Sequence, residues 1–445
     1  MAADMESDKR ARVSLLNIPA FWKSQQRDWR ITVVRTSLDR LGYQVIYPYL
    51  SIYIVALGAD KTDLGVITSL SMILAGLLGP YTGRFIDRNG PKKIYLAGIA
   101  MLIVAYLAYA LAPVWQVAAV AMIVYYLASG TSGHSCATIC GNCLANCDRA
   151  KGMLICESLA AGLLGMIGPM LASFILVDLV GVTGTPSVAD DMRPLFYVPV
   201  LTSVVSFLLV LRMLSNNKWA ATGTRTNLLK DARVLLRGNK NTKKWIIIGA
   251  MNNLPLGMVL PYTQLFAAEV KGADVRTLAA MVTAAAVTSV VCGYPVGALS
   301  DRFGRKKVLY CVMALFWCAN IALVLAPSNA MLLVAGVLNG FYYISSPLAA
   351  TIQREIVPQK LMGRWIGLNR IITAVFTALM AAVSGVIYDR MGARWVFLIY
   401  VAIDVFVRFP LLLSMPETLH YQVDEAAFDR NLAEIENGPD GGCCR

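Results

Sequence analysis

The chain contains 445 residues, of which 57% are hydrophobic and 15% are charged, and its net charge is +13. Soluble domains contain about 25% charged residues, so this composition excludes an ordinary soluble protein and indicates a membrane protein with many spans. Most lysines and arginines lie in tails and loops that fall on one side of the membrane. The basic charge therefore reflects membrane topology, and we expect no nucleic-acid partner.

Apolar segments recur along the whole chain and predict an all-α, polytopic membrane protein with twelve transmembrane helices, since one span needs about 20 apolar residues. The spans form two pseudo-symmetric six-helix bundles, over residues 31–214 and 245–415. The predicted spans are residues 31–57, 63–86, 92–112, 115–145, 151–178, 194–214, 245–270, 276–300, 306–326, 329–357, 361–388 and 393–415.

Polar segments flank and join the two bundles. Residues 1–30 form a tail with an interfacial segment, in which Trp22 and Trp29 are predicted to anchor the chain at the membrane surface. Residues 215–244 form a basic linker, and residues 416–445 form a second tail. Because lysine and arginine stay on the cytoplasmic side, we expect the linker and both termini in the cytoplasm and a multi-pass protein of the cell membrane.

A polar phrase occurs twice, between the second and third spans and again between the eighth and ninth. Residues 83–93 read G-R-F-I-D-R-N-G-P-K-K, and residues 297–307 read G-A-L-S-D-R-F-G-R-K-K. Such a repeat indicates two homologous halves, and two repeated halves in a membrane protein indicate a transporter that works by alternating access. The repeat also includes two dipeptides: Pro48-Tyr49 and Pro261-Tyr262.

The pattern G-x-x-x-D-R-x-G-x-[KR]-[KR] in both halves resembles the signature loop of the major facilitator superfamily, from which it departs at Pro91, where an arginine is usual. The resemblance covers nearly the whole chain and implies a secondary transporter whose halves rock about a central cavity. It also implies a conformational latch, because an aspartate accepts hydrogen bonds at the positive start of a neighbouring helix. The predicted latch residues are Gly83, Asp87, Arg88, Gly90, Gly297, Asp301, Arg302 and Gly304.

Ionisable side chains within the spans are candidates for function, since a charge inside a bilayer is costly. Helix 1 carries Arg35, Asp39 and Arg40. Asp39 either carries the coupling proton, with an arginine setting its pKa, or forms a structural ion pair. Glu157 in helix 5 and Arg370 in helix 11 lie at similar depths in repeat partners. They predict a gate or a charge clamp for the substrate, and Glu157 is a second candidate for proton coupling.

Helices 4 and 5 add further candidates. His134 titrates near neutral pH, and it either relays protons, binds substrate or packs structurally. Gly165, Gly168 and Pro169 predict a bend in helix 5 with close helix contact. This segment resembles a degenerate Gly-Pro motif of drug:proton antiporters in the same superfamily. Helix 4 departs from those antiporters, because it lacks their usual arginine and glutamine.

Aromatic and amide side chains within the spans are predicted to line the substrate cavity, although some of them will serve only packing. The candidates, together with the three arginines at 35, 40 and 370, are Tyr43, Gln44, Tyr47, Asn252, Asn253, Tyr262, Gln264, Asn339, Tyr342 and Tyr343.

Four of the ten cysteines form one stripe on helix 4, and Cys156 follows on the next helix. Such soft ligands suggest a metal or arsenical site. The stripe is about 16 Å long at about 1.5 Å per residue, so one ion can contact at most two neighbouring thiols. We therefore expect helix packing and no metal site. The four residues are Cys136, Cys140, Cys143 and Cys147.

The leading hypothesis is a secondary active transporter that exports a small organic solute in exchange for protons, as drug antiporters do. One alternative is an uptake carrier or exchanger for an organic anion, motivated by the arginines within the spans. Another is a non-transporting membrane receptor on the same fold. The sequence shows no nucleotide-binding loop and no nucleophile–base pair, so an enzyme is not expected. We expect a monomer without cofactors, whose partners are its small-molecule substrate and the lipid bilayer.

Overall fold

The computed structural model describes residues 18–144, 156, 160–216, 240–356 and 362–417, and within these residues it is helical and contains no strand. The predicted all-α class with twelve spans in two six-helix bundles is confirmed. Most predicted boundaries lie close to the observed ones, although most of the predicted start of the fifth span lies outside the described residues.

Each bundle contains six spans, some of which are interrupted. The first bundle consists of α1 (Arg27–Ile46 and Leu50–Ala56), α2 (Lys61–Asn89), α3 (Pro91–Ala110), α4 (Trp115–Cys143), α5 (Ala160–Phe174, continued by a π-helix at Ile175–Val180) and α6 (Ala189–Met213). The second consists of α7 (Lys240–Asn252, Leu254–Met258 and Leu260–Glu269), α8 (Val275–Phe303), α9 (Arg305–Leu325), α10 (Asn329–Ile356), α11 (Met362–Arg390) and α12 (Ala393–Ile403, a π-helix at Asp404–Arg408, and Phe409–Leu413).

Nine helices in the described part of the chain are long and apolar enough to cross a membrane. The other three spans belong to the first bundle. α1 holds Arg35, Asp39 and Arg40, α4 is rich in tyrosine, serine and threonine, and the described apolar part of α5 is short, Leu164–Val180. Polar groups at membrane depth are tolerated where they face protein or a water-filled cavity. We therefore expect the polar side chains of α1 and α4 to face protein or such a cavity.

The repeated phrase forms the turn between α2 and α3 and again between α8 and α9. The backbone φ is 84° at Gly90 and 105° at Gly304, values that favour glycine because it has no Cβ. Pro91 then occupies the first position of α3, where its fixed φ suits a helix and its missing N–H breaks no hydrogen bond. The two glycines are therefore explained by the tight turns between helices.

Helix packing repeats from one bundle to the other. α3 packs on α4 as α9 packs on α10, and α1 packs on α5 as α7 packs on α11. The bundles meet along two helix pairs, α2 with α11 and α5 with α8, which are themselves repeat partners. Small residues allow this approach, since a Cβ on Gly65 of α2 would clash with the carbonyl oxygen of Ala381 in α11. The interface between the halves is thus pseudo-twofold symmetric.

A short helix, Ile18–Ser24, precedes α1 and contacts it through aromatic rings. The ring of Trp22 packs edge-on against Trp29, with ring centroids 5.5 Å apart. Trp29 itself is fully buried, in the same apolar cluster as Tyr95 and Cys143. The predicted role of Trp29 as a surface anchor is therefore wrong, because α1 begins earlier than predicted and carries this ring into the protein.

The first lysine of each repeated phrase binds the end of a distant helix. Nζ of Lys92 donates to the carbonyl oxygen of Leu214, at the end of α6, over 2.6 Å. Nζ of Lys306 donates to that of Leu413, at the end of α12, over 2.9 Å. An ammonium group at a helix C-terminus satisfies an unpaired carbonyl and interacts favourably with the helix dipole. Each copy of the phrase therefore ties the third helix of its bundle to the sixth.

Lys306→Met should lower the stability of the second bundle by about 1 kcal/mol, because a hydrogen bond and a charge–dipole interaction at a helix end are lost. Thermal unfolding of the purified protein in detergent should show a lower Tm. Lys307→Met, at the exposed neighbouring position, is the matched control and should leave Tm unchanged. An equal Tm for both variants would contradict the structural role of Lys306.

Candidate substrate cavity and outer gate

Two tyrosines join the halves at the end of the molecule opposite the repeated loops, which we call the outer end. Tyr49, at the break in α1, donates its hydroxyl to the carbonyl oxygen of Val275, at the start of α8, over 2.9 Å. Tyr262 in α7 donates to the carbonyl oxygen of Lys61, at the start of α2, over 3.1 Å. Both rings are fully buried. The two hydrogen bonds are reciprocal, since each repeated tyrosine binds the other half.

A proline precedes each of these tyrosines and explains its position. The first part of α1 ends at Ile46 and the helix resumes at Leu50, on either side of Pro48. The last part of α7 begins at Leu260, next to Pro261. Because proline lacks an N–H and its ring clashes with the preceding turn, both helices are interrupted at the same level. The interruptions place the two tyrosines at the interface between the halves.

Charged groups join the halves at the same end. Oδ2 of Asp389, at the end of α11, accepts from the backbone N–H of Thr62 over 2.7 Å and from its hydroxyl over 2.5 Å. Thr62 lies at the start of α2, where the helix dipole favours an anion. Lys61 forms an ion pair with Glu269 of α7 at 3.2 Å. We call the following residues the outer gate: Tyr49, Lys61, Thr62, Tyr262, Glu269, Val275 and Asp389.

A small cavity lies between the halves, bordered by Tyr47 of α1 and by residues of α7, α8 and α10. Two atoms of its lining residues, Oε1 of Gln264 and Oδ1 of Asn339, are buried without a hydrogen-bond partner in the described structure. An unpaired buried acceptor costs about 1–3 kcal/mol, which a bound solute can recover by donating a hydrogen bond. The lining residues are Tyr47, Thr263, Gln264, Met281, Val282, Ala285, Gly336, Asn339 and Tyr343.

Aromatic rings from both halves surround this cavity. Tyr43 stacks on Tyr125 of α4, with ring centroids 5.4 Å apart and an interplanar angle of 6°, and it contacts Tyr47 at 5.6 Å. From the second half, Tyr343 of α10 lines the cavity together with Tyr47, and it contacts the buried Tyr342 at 5.4 Å. The walls therefore combine ring faces with hydroxyl groups, which suits a solute that is partly aromatic.

The two arginines of α1 occupy different environments. Arg35 is buried and pairs with Asp39 at 3.6 Å. Arg40 is exposed and lies within electrostatic range of Tyr43 and Tyr343 in the cavity wall. No carboxylate among the described residues pairs with Arg40. Because a charge facing lipid is costly, we place the Arg40 guanidinium in a water-accessible part of the space between the halves.

Arg370 of α11 and His134 of α4 approach each other from opposite halves, closer to the repeated loops. Arg370 is exposed and lies within electrostatic range of the His134 ring. Nδ1 of His134 is 3.2 Å from Oγ1 of Thr82 in α2. Glu157, predicted at a similar depth, lies outside the described residues. In the part of the chain that the structure describes, the space between the halves thus contains cationic side chains, whereas Asp39 already has a partner.

The structure places three predicted cavity residues elsewhere. Oδ1 of Asn252 accepts from Nη2 of the buried Arg408 over 2.5 Å. The amide of Asn253 donates to a carbonyl oxygen of its own helix, and Tyr262 belongs to the outer gate. These placements correct the prediction, because the interruptions of α7 turn its side chains away from a regular helical face. Of the predicted residues, Tyr47, Gln264, Asn339 and Tyr343 line the cavity, and Tyr43 and Tyr342 contact the rings of Tyr47 and Tyr343.

The glycines of α5 lie against α1 beside Gln44. A Cβ on Gly168 would lie 2.7 Å from the Cβ of Gln44, and one on Gly165 would lie 3.5 Å from its Cγ. Pro169 lies within the helix, which continues beyond it. A larger side chain at Gly168 would therefore push α1 and α5 apart. The functional role of the bend that the sequence predicts in α5 stays a prediction.

The predicted latch is only partly described. Its two arginines, Arg88 and Arg302, are exposed. A Cβ added at Gly83 or Gly297 would meet no other atom within 4 Å. The side chains of Asp87 and Asp301 lie outside what the structure describes. At the start of α9, the backbone N–H of Lys306 donates to Glu417 over 3.2 Å. A carboxylate therefore does bind a helix start beside the second loop, while the latch role of the aspartates stays a prediction.

Sequence reasoning missed most of the outer gate. Thr62 and Asp389 lie near the ends of predicted spans and show no pattern of their own, and the acceptors of both tyrosine hydroxyls are backbone carbonyls. The repeated Pro-Tyr dipeptide could have predicted the two tyrosines of the gate. A proline interrupts the helix, and the tyrosine directly after it therefore lies at the interruption.

Two repeated six-helix bundles around a cavity that is closed at one end define an alternating-access transporter of the membrane. The chain belongs to the Major Facilitator Superfamily, whose family model matches residues 36–274 and 245–428. Members of this family are transporters and not enzymes, and they bind small-molecule substrates within the membrane.

Individual relatives are distant. The chain is 33% identical to the uncharacterized transporter YebQ of Escherichia coli (strain K12) over 119 residues, which are 26% of this chain and only 25% of YebQ. It is 21% identical to multidrug resistance protein MdtG of Salmonella typhi over 66% of this chain and 70% of MdtG. The crystal structure of the nucleoside transporter NupG superposes with a TM-score of 0.68, at 15% identity, over 89% of this chain and 100% of NupG. The last likeness shows a shared fold.

Tyr49→Phe and Tyr262→Phe should each weaken the closed outer end by about 1 kcal/mol, because each removes one hydrogen bond between the halves and keeps the ring. The ratio of open to closed molecules at the outer end should then rise about fivefold, and further in the double variant. Distance distributions between labels on outer loops, measured by double electron–electron resonance, report this ratio.

Tyr310→Phe is the matched control, since the Tyr310 hydroxyl donates to the carbonyl oxygen of Leu412 within the second bundle. It should leave the outer distances unchanged. Outer distances that are the same in Tyr49→Phe, Tyr262→Phe and the control would show that the two tyrosines do not hold the halves together.

Proposed function

We propose that the protein is a secondary active transporter that carries a small, partly aromatic organic anion by alternating access. The observation that supports this proposal is the charge of the space between the halves. Arg40 and Arg370 are exposed there, whereas Asp39 is already paired with Arg35. Cations at membrane depth are costly, so a bound anion that pairs with them would lower the free energy of the complex.

The groups around Arg40 suit such a solute. Tyr43 and Tyr343 lie within electrostatic range of its guanidinium, and a planar guanidinium beside aromatic rings binds a carboxylate in two-point fashion while the rings contact apolar parts of the solute. The unpaired amide oxygens of Gln264 and Asn339 would accept hydrogen bonds from hydroxyl or amine groups on the solute. The recognised chemistry is thus an anionic group together with hydrogen-bond donors and a ring.

The transport step follows from the two helix pairs at the interface. With the outer gate closed, the solute would enter from the side of the repeated loops and bind near Arg40. The halves would then rock about the pairs formed by α2 with α11 and α5 with α8. The outer gate opens when the solute binds the outward-open form more tightly than the closed one, since a ligand shifts an equilibrium only by its difference in affinity. We propose that the protein works as a monomer in the cell membrane, with both termini in the cytoplasm.

A second candidate function is proton-coupled export of drug-like compounds. It is favoured by the similarity to MdtG over 66% of this chain and by the carboxylate of Asp39 next to Arg35. Protonation of Asp39 would break this ion pair and release Arg35, which would link proton binding to movement of α1. His134 and Glu157 remain further candidates for the same coupling.

Arg40→Gln and Arg370→Gln should each weaken anion binding by at least about tenfold, because a charge-assisted hydrogen bond contributes about 1.5–3 kcal/mol. Uptake of a panel of organic anions, and of their neutral esters, into proteoliposomes measures the effect. Arg40→Lys should retain part of the binding. Arg394→Gln, at an exposed site outside the cavity, is the control. Undiminished anion transport in Arg40→Gln and Arg370→Gln would rule out the anion proposal.

The second candidate predicts that Asp39→Asn abolishes transport driven by an imposed pH gradient but preserves solute exchange across the membrane without a gradient. The reason is that asparagine cannot release a proton, whereas exchange needs no net proton movement. Asp190→Asn, which changes an exposed carboxylate at the outer end, is the control. Gradient-driven transport that persists in Asp39→Asn would exclude coupling through this residue.

A further inference from the structure

Three cysteine thiols meet in the interior of the first bundle. Cys136 and Cys140 lie on α4, and Cys156 lies on the segment that leads into α5. Their Sγ atoms all lie within 4.8 Å of one another. Cys140 and Cys156 are fully buried, at 1% and 0% exposure, whereas Cys136 is partly exposed. The cluster is therefore an interior site that can be reached from the side of Cys136.

This cluster differs from the stripe that the sequence predicts. Cys143 is buried on the same helix but is not part of the trio, and Cys147 lies outside the described residues. The third thiol instead comes from Cys156, which precedes α5 in the chain, so the three sulfurs surround a point and do not follow a line. Bonds of about 2.3 Å from sulfur to a three-coordinate ion place the sulfurs about 3.4 Å apart for a pyramidal centre and about 4 Å apart for a planar one. The observed Sγ atoms, all within 4.8 Å of one another, would have to move closer together to reach this range.

The ligand atoms and the charges around the three cysteines determine which kind of ion the site can bind. The trio offers sulfur only, and sulfur ligands favour soft ions over Mg²⁺ and Ca²⁺, which take oxygen ligands. Oγ1 of Thr36 lies 3.7 Å from Sγ of Cys136 and 3.8 Å from Sγ of Cys156. Arg35, which lies within electrostatic range of Cys136, is already paired with Asp39. The site therefore lacks a free charge to balance a charged complex.

We infer that Cys136, Cys140 and Cys156 form a three-thiolate site for a soft trivalent ion, of which trivalent arsenic and antimony are the examples. Three thiolates on a trivalent centre carry no net charge, which suits a buried site, whereas a divalent ion would leave one negative charge that burial penalises. Binding of arsenious acid exchanges three S–H bonds for three As–S bonds. The three protons leave with the three hydroxide groups as three waters, and no atom changes its oxidation state.

The bound ion would join two cysteines of α4 to Cys156, which precedes α5 in the chain, and all three belong to the first bundle. It would not cross the interface between the halves, so its occupancy should stiffen the first bundle without locking the outer gate. The site is therefore separate from the proposed anion cavity, and its test does not depend on transport of any organic solute.

The test uses the reduced, full-length protein in nanodiscs, with Cys443→Ser and Cys444→Ser, because this vicinal pair in the tail would itself bind arsenic. Arsenite is added, unbound arsenic is removed by gel filtration, and bound arsenic is counted by mass spectrometry. We expect one arsenic per chain and three thiols protected from a maleimide reagent. Cys140→Ser and Cys156→Ser should each weaken retention at least about tenfold, whereas Cys143→Ser and Cys292→Ser should not.

A second measurement needs no change to the trio. Arsenite should raise the Tm of the protein in a concentration-dependent way, because a ligand that binds only the folded form stabilises it. Cadmium at the same concentration should raise Tm less. Arsenic retention that is unchanged in Cys140→Ser and Cys156→Ser, protection of two thiols only, or a larger shift with cadmium would each overturn the inference.

Discussion

Polar and charged groups at membrane depth have no water to bind, so each must find a partner inside the protein or line a wet cavity. The arrangement of this transporter depends on that constraint. In α12, Asp404 pairs with Arg408 at 3.2 Å and accepts from Nε1 of Trp317 over 2.6 Å, while Arg408 also binds Asn252 of α7. Removing one partner of such a buried pair costs about 3–5 kcal/mol. The network therefore fixes α7, α9 and α12 against one another.

The same constraint separates structural charges from functional ones. Arg35 and Asp39 satisfy each other within α1, as the pair in α12 does. Arg40 and Arg370 have no carboxylate partner among the described residues and are exposed, and for this reason we propose them as the charges that bind the solute. The two bundles share their helix packing and their lysine contacts at the ends of α6 and α12, yet they differ in the charges of their inner helices. Function in a repeated fold is found in such differences.

The outer gate must be weak enough to open. It consists of two tyrosine hydrogen bonds, one partly exposed ion pair and the contacts of Asp389 with Thr62. A typical hydrogen bond contributes about 0.5–1.5 kcal/mol net, and an exposed ion pair contributes about 0–1 kcal/mol. A gate built from several weak bonds is therefore compatible with repeated opening and closing.

The sequence by itself determined the number and the approximate limits of the spans, because apolar length and the glycines and prolines that end helices are local properties. It also determined the two halves, through the repeated loop and the repeated Pro-Tyr dipeptide. Only the tertiary structure decided which polar residues face the cavity, placing Asn339 there and Asn252 beside Arg408. The same is true of Cys156, which joins two thiols of α4. These placements depend on how each helix is rotated against distant neighbours, which local patterns do not encode.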